Sequence, residues 1–370
     1  MKVAILFDGA SAYATTPDQL ILGTVEAIER SLVAEGNDVG YLPVYQDGKW
    51  IEKLRRGKFD LAFNMCEGID GIAALESAVI SVLELFKIPF TGASSYTTAV
   101  CLRKHVINGL LEKSGLPIPR FAVIRRGDPL VSVGFPAIVK PAAEDASLGV
   151  EQRSVVRNSR QLAERVFAML ELWDEVLVQR YVEGREVNVG ILGDTVLPIA
   201  EIDFSKMPRG RWRIITYQSK WATGSVDDIG AQPRCPARLP AKIANEVRRV
   251  ALRAWKISGG FGYGRVDMRI DVNGQPWILE VNANPDIAPD AGLARMARVA
   301  GDEYGGLIRS ICEMALARSR ETVPPEEWVL AQRLSGVQGE RAELDLFAVG
   351  EESGAPSFSR VPNAELSRNE

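Results

Sequence analysis

Two apolar-rich runs meet at Asn273-Gly274, and this dipeptide constrains the chain more than any other feature. Asn-Gly between alternating hydrophobic residues is the strongest short-range sign of a two-residue type I′ hairpin. That turn sets Asp267 directly opposite Glu280 and Arg265 opposite Asn282, with all four side chains on one face because alternate residues of a strand share a side. The other face pairs Val266 with Val281, Met268 with Leu279 and Ile270 with Trp277, an apolar set that belongs in a core. Two carboxylates facing each other repel unless something positive lies between them. Either a divalent cation bridges them, or Arg265 and another base neutralise them in an ordinary ion-pair network. Two carboxylates and an amide are hard oxygen ligands, too few to enclose an ion. Magnesium is usually held that way, with phosphate oxygens and waters completing its octahedron.

Upstream, the apolar run Val3 to Phe7 ends in Asp8-Gly9, the pattern of a buried parallel strand. Thr16, Pro17 and Gln19 predict a helix start and Gly36 its end. Strands over 39–44, 59–64 and 89–91, with a helix over 73–86, complete a doubly wound α/β unit to about residue 93. Ser94 or Ser95 caps a helix that carries Lys104 and runs to about Gly115. Short strands over 137–140 and 176–181 around a helix over 159–172 suggest a small α+β module. Alternating strands then surround one long helix over 240–257, and a last helix falls within 291–318. Lys140 ends an apolar run and precedes the small-residue loop 142–150, whose backbone can approach phosphates closely, although the order of a Walker loop is absent. A lone lysine on a helix or at a strand end is more often solvated, and Lys220 beside Trp221 reads equally as a snorkelling side chain.

Composition narrows the chemistry. The 370 residues suggest two to three domains. Forty-four basic against forty-eight acidic side chains provide no polycationic surface, which argues against nucleic acid as a main partner. Cysteines at 66, 101, 235 and 312 lack CxxC spacing and have only His105 to help, so neither a disulfide framework nor a zinc site is expected. The opening apolar run is too short for a signal peptide and no run approaches membrane-spanning length, which predicts a cytoplasmic protein without a membrane partner. One histidine leaves carboxylates, lysines, arginines and a metal to carry any catalysis.

Taken in order, Pro89-Phe90-Thr91-Gly92, the Lys104 helix, Val139-Lys140-Pro141 with its loop, Ser219-Lys220-Trp221, Gly264-Arg265-Val266-Asp267 and Leu279-Glu280-Val281-Asn282 resemble the ATP-grasp carboxylate–amine ligases, in particular the D-alanine–D-alanine ligase family. The resemblance covers about residues 1–318. It implies a three-part α/β architecture: an N-terminal doubly wound, Rossmann-like substrate domain (1–93), a small central α+β domain (94–182) and a C-terminal α+β catalytic domain (183–320), with nucleotide between the last two. Residues 321–370 then form an acidic, poorly ordered tail. The resemblance also implies a homodimer, and ATP with magnesium or manganese. By the same resemblance Lys104, Lys140 and Lys220 neutralise ATP phosphates, and Ser147 with its loop closes over them. Gln179, Arg180 and Val182 meet adenine and Glu186 binds the ribose. Asp267, Glu280 and Asn282 hold the metal, and Arg265 stabilises a tetrahedral oxyanion.

The substrate pocket departs from that family. Positions that carry Glu, Ser and Tyr there read Tyr13, Ala146 and Trp221 here, the HGxxGEDG loop reads Asn64 to Gly71, and Ala291-Gly292 and Asp286 replace Ser-Leu and Gly. A pocket stripped of polar anchors holds a small zwitterion poorly. The expectation is a ligase that keeps the ATP machinery and joins a different small-molecule acid and amine. Tyr13 and Trp221 line the substrate or pack on the lid, and Glu67, with Asp70 and Glu76, is a candidate amine contact. The alternatives are D-alanine–D-alanine ligase itself, and a non-catalytic ATP-binding regulatory module.

Overall fold

The computed structural model describes residues 1–10, 19–144 and 146–321. The expected cap at Thr16-Pro17, the candidate Tyr13 and the tail from 322 onward lie outside the described residues.

The first layer is a parallel sheet in which β1 (Lys2–Asp8) lies between β2 (Asp38–Val44) and β3 (Leu61–Asn64). Between the strands run α1 (Gln19–Ala34) and α2 (Lys49–Gly57), and α3 (Glu76–Leu85) follows them. Gly36 ends the first helical connection in a left-handed conformation, as its position predicts. The strand expected over 89–91 is reduced to one parallel bridge, Phe90 with Ala62. Downstream, Ser94 caps α4 (Ser95–Leu102) by accepting from the Thr97 N–H. The single helix expected there is broken: Arg103 leaves helical geometry and α5 (Lys104–Lys113) starts anew, its first N–H donating to the Ala142 carbonyl. That break sets Lys104 at a helix start, facing the 142–150 loop.

An antiparallel sheet follows, ordered from β4 (Phe121–Arg125) through the later β7 (Glu175–Arg180) to β5 (Ala137–Pro141) and β6 (Val155–Val156). The Asn158-capped α6 (Ser159–Leu170) buries Leu162, Val166 and Met169 against it. The third sheet is built on β8 (Arg185–Leu192), which pairs with the two-residue β9 (Thr195–Val196) and with β10 (Ala200–Asp203). Two short helices, α7 (Tyr217–Trp221) and α8 (Val226–Gly230), precede the edge strand β11 (Gln232–Arg234). After α9 (Ala241–Ile257), β12 (Tyr263–Ile270) adds to the other side of β8 and β13 (Pro276–Asn282) closes the sheet. One face packs on α9 and α5, with Val187, Val266, Met268, Val281 and Trp255 buried in a single cluster.

The last described helices return to the first sheet. The helix expected within 291–318 is two, α10 (Gly292–Ala300) and α11 (Tyr304–Glu321), separated by Gly301 at φ 100°. Their Leu293, Met296, Leu307 and Ile311 join Val3, Ile5, Phe7 and Ile28 in one core, while Trp50, Leu54, Val79 and Leu83 cover the other side of the first sheet. A parallel sheet has to be covered on both faces, and this chain draws one cover from its last described helices. Among the described residues no helix is long and apolar enough to cross a membrane.

Candidate active site

The hairpin forms with the predicted pairs at its far end and a different turn. Asp267 pairs with Glu280, Val266 with Val281 and Arg265 with Asn282. Nearer the turn Met268 pairs with Ile278, Arg269 with Trp277 and Ile270 with Pro276, where the two-residue turn required Leu279 and Trp277 opposite Met268 and Ile270. Asp271 is the cause. Its carboxylate accepts from the Asn273 and Gln275 N–H groups at 2.9 Å each, and from the Trp277 indole at 3.0 Å. An aspartate at the first position favours a type I turn. The loop therefore has three residues, closed by Asp271 N–H to Gln275 O, with Gly274 alone left-handed at φ 81°. The register slips by one and a bulge between the Asp267 and Met268 pairings restores it. Without that bulge Glu280 would point into the core.

On the restored face, Asp267 receives two bonds from Arg265, at 2.8 and 2.9 Å, one from Asn188 at 2.6 Å and one from Asn282 at 3.1 Å. Asn188 comes from β8, directly across from Asp267. Glu280 is held by Lys104, whose Nζ lies 2.6 Å from Oε1 and also donates to the Glu144 carbonyl. Burial pushes the Glu280 carboxyl up, but Lys104, Lys140 and Lys220 outweigh it and bring it down to about 2. Lys140, half-buried on β5, is lowered by burial and by Lys104, against the pull of Glu280, Glu186 and Asp267. The Arg265 guanidinium loses by burial and gains more from Asp267, so it stays charged. Lys104 is only 5% exposed, not the solvated lysine that is the default on a helix.

Glu280 is thus kept ionised on the face it shares with Asp267, with an amide beside them and lysines at the edge. Among the described residues no three His, Cys, Asp or Glu side chains gather as a closed metal cage. The donor set fits an ion whose remaining ligands come from phosphate and water.

The loop over 142–150 is pinned at several points. Ala146 and Ser147 are both left-handed, at φ 53° and 60°, which costs roughly 1–2 kcal/mol apiece outside glycine. The Trp221 indole donates to Ala146 O at 3.2 Å, the Tyr217 N–H to Val150 O at 2.8 Å and Arg165 to Gly149 O at 2.7 Å. Trp221 therefore bonds to the 142–150 loop. Lys220 is exposed on the same short helix, α7, which Thr216 and Ser219 cap reciprocally. A cavity of about 580 Å³ lies beside this contact, lined by Leu148, Gln152, Arg211, Tyr217 and Asp227 among others, and none of the lysines or carboxylates above lines it.

The candidate nucleoside segment is mixed. Gln179 is buried with its Nε2 unpaired. The Arg180 side chain turns to the Phe135 carbonyl, and Val182 O and Glu186 Oε2 are both taken by Arg269. Glu67 is exposed on the loop after β3, while Glu76 bonds Asn284, which also accepts from the Tyr263 hydroxyl. Sequence reasoning missed Asn188 and Arg269. The signal for each was a polar side chain between apolar neighbours, in Val187-Asn188-Val189 and in Met268-Arg269-Ile270.

The fold and this site define an ATP-grasp protein. Against known proteins, the family model described as D-ala D-ala ligase C-terminus matches residues 110–313, more than half of the chain. A D-alanine–D-alanine ligase of Dechloromonas aromatica is 30% identical over 322 residues, 85% of this chain and 97% of that protein. One of Alcanivorax borkumensis is 32% identical over 273 residues, 74% and 82% of the two chains. A D-alanine–D-alanine ligase from Bacillus anthracis, solved in complex with ATP, superposes with a TM-score of 0.71 at 22% identity over 87% of this chain and 99% of its own, a likeness of fold. The chain belongs to the D-alanine–D-alanine ligase family, and is an ADP-forming ligase that makes an amide bond.

Proposed function

We propose that this ligase activates the carboxylate of an amino acid or peptide with ATP and joins it to an amine, and that its substrate pair is not two D-alanines. The observation that carries the first half is the pairing of Asp267 with Glu280 on one sheet face, with Lys104 on Glu280 and Lys140 within electrostatic reach. Magnesium would be held by Asp267, Glu280 and Asn282, and when bound it supplies charge neutralisation at the transferring phosphoryl group. Lys104, Lys140 and Lys220 all place positive charge within electrostatic reach of Glu280. An acid's carboxylate oxygen attacks the γ-phosphorus, the bond to the β-phosphate oxygen breaks, and ADP leaves an acyl phosphate. The amine then adds to the acyl carbon. Arg265, held through two of its nitrogens by Asp267, faces the oxyanion, which collapses to the amide with loss of phosphate. The 142–150 loop excludes water from the acyl phosphate. The lobes 1–93, 94–182 and 183–320, each with its own sheet, supply substrate pocket, lid and catalytic face in this reading.

Ala146 and Trp221 support the second half. The lid is tied to the helix that bears Lys220 through an indole and a backbone carbonyl, a link that offers no hydroxyl to a substrate amine. D-alanine–D-alanine ligation is the second reading, favoured by the names of the relatives above. Purified protein with ATP, magnesium and panels of amino acids separates them by ADP release. Turnover with a pair other than D-alanine supports the proposal, and robust turnover with D-alanine alone restores the second reading. ATP binding without turnover on any pair would leave only a nucleotide-binding role.

A further inference from the structure

Among the described residues, Arg269 is a heavily engaged cation that the reaction scheme leaves unused. It is 2% exposed and sits on β12 two residues beyond Asp267, on the same face. Its Nε and Nη2 donate to Glu186 Oε2 at 3.1 and 2.8 Å, its Nη1 donates to Val182 O at 2.8 Å, and its Nη2 also donates to Arg213 O. The guanidinium carbon lies 4.7 Å from the centre of the Tyr181 ring. One planar group thus ties three pieces: the strand that carries Asp267, the turn from Val182 to Glu186, and the stretch that leads from Arg213 into α7 and Lys220. Both bonds to Glu186 fall on Oε2, and among the described residues Oε1 accepts none.

We infer that Arg269 is a positioning residue for the nucleoside: it fixes Glu186 by Oε2 so that Oε1 accepts from a ribose hydroxyl of bound ATP. The inference rests on the proposed ATP reading. A charged acceptor held in place is worth more to a ligand than one that must be ordered on binding. A carboxylate has two acceptor oxygens, and the arginine fork occupies one while leaving the other. Lysine cannot substitute fully, because a point charge does not reproduce the two-pronged contact with Glu186 and the reach to Val182 O.

The test measures binding of magnesium-ATP, 2′-deoxy-ATP and 3′-deoxy-ATP by calorimetry, so no acid or amine is needed. The unaltered protein binds ATP about tenfold more tightly than at least one deoxy form, as loss of a hydrogen bond to a charged group requires. Arg269→Met and Arg269→Lys bring that ratio close to one, and Glu186→Gln reduces it with Arg269 in place. A purely structural role for Arg269 weakens all three nucleotides by the same factor and leaves the ratio unchanged, which overturns the inference. So does a ratio near one in the unaltered protein. Thermal melting checks each variant for folding, and if Arg269→Met does not fold, the lysine and Glu186→Gln variants decide between these outcomes. Failure of the unaltered protein to bind ATP at all removes the reading beneath the inference and is seen separately.

Discussion

Trp221 donates its indole N–H to the carbonyl oxygen of Ala146 over 3.2 Å, joining the helix that bears Lys220 to the strained tip of the 142–150 loop. The donor is an indole and the acceptor a backbone carbonyl rather than a side chain. The backbone acceptor makes the tie independent of the residue at 146.

Trp221→Phe keeps an aromatic ring and removes the donor. The lid then closes less fully and water reaches the acyl phosphate, so the ratio of ADP released to amide formed rises above one by several-fold, while the affinity for ATP changes little. Parallel assays of both products measure this. A ratio that stays near one would show that the bond does not govern closure.

Lys104 and Glu280 form a pair that is largely withdrawn from water, the two side chains being 6% and 22% exposed. Lys104→Met leaves Glu280 without its nearest counter-charge and lowers stability by about 3 kcal/mol, as breaking a buried pair does. Adding Glu280→Gln returns part of that loss, because no uncompensated charge then remains. Denaturant unfolding of the two single variants and the double variant reads the coupling, and strict additivity would contradict it.

Asp271 selects the turn, so Asp271→Ala removes three acceptor contacts at once. A loss of about 1–2 kcal/mol is expected, together with faster amide exchange at Gln275. Gly274 is left-handed and a Cβ there would sit 3.0 Å from Ile243 Cδ1, so Gly274→Ala also destabilises the hairpin. Hydrogen exchange and melting temperature report both.

Burial raises the Cys66 thiol well above 9.0 and the Cys312 thiol to about 12. A raised value keeps the nucleophilic thiolate scarce below that pH, so both react slowly with an aromatic disulfide reagent at pH 8 and all four cysteines react once the chain is unfolded. Half-buried Cys235 reacts first of the four. Fast labelling of Cys66 in the native protein would contradict its placement beneath the first sheet.

What is legible in the sequence is local. The alternation Arg265, Asp267 against Glu280, Asn282 gives the face that the two carboxylates share, because period-two patterning puts alternate residues on one side of a strand. The turn itself is not, since Asp271's carboxylate decides between a two-residue and a three-residue loop, and the compensating bulge follows from that choice. Lys104 looks solvated because helix periodicity does not reveal a break at Arg103 or an acid that arrives from another sheet. Asn188 and Arg269 escape for a related reason: their partners, Asp267 and Glu186, lie 79 and 83 residues away, and the pairing of β8 with β12 is a tertiary event.

The central claim, that Asp267 and Glu280 face each other to transfer a phosphoryl group from ATP to a carboxylate, is tested most directly by positional isotope exchange. ATP labelled with oxygen-18 in the β–γ bridge is incubated with magnesium and the acid substrate, without amine, and scrambling is followed by phosphorus NMR. Scrambling that requires the acid and falls by about a hundredfold or more in Glu280→Gln and Asp267→Asn is the predicted result. Amide synthesis that survives either substitution unchanged, or scrambling indifferent to the acid, would contradict it.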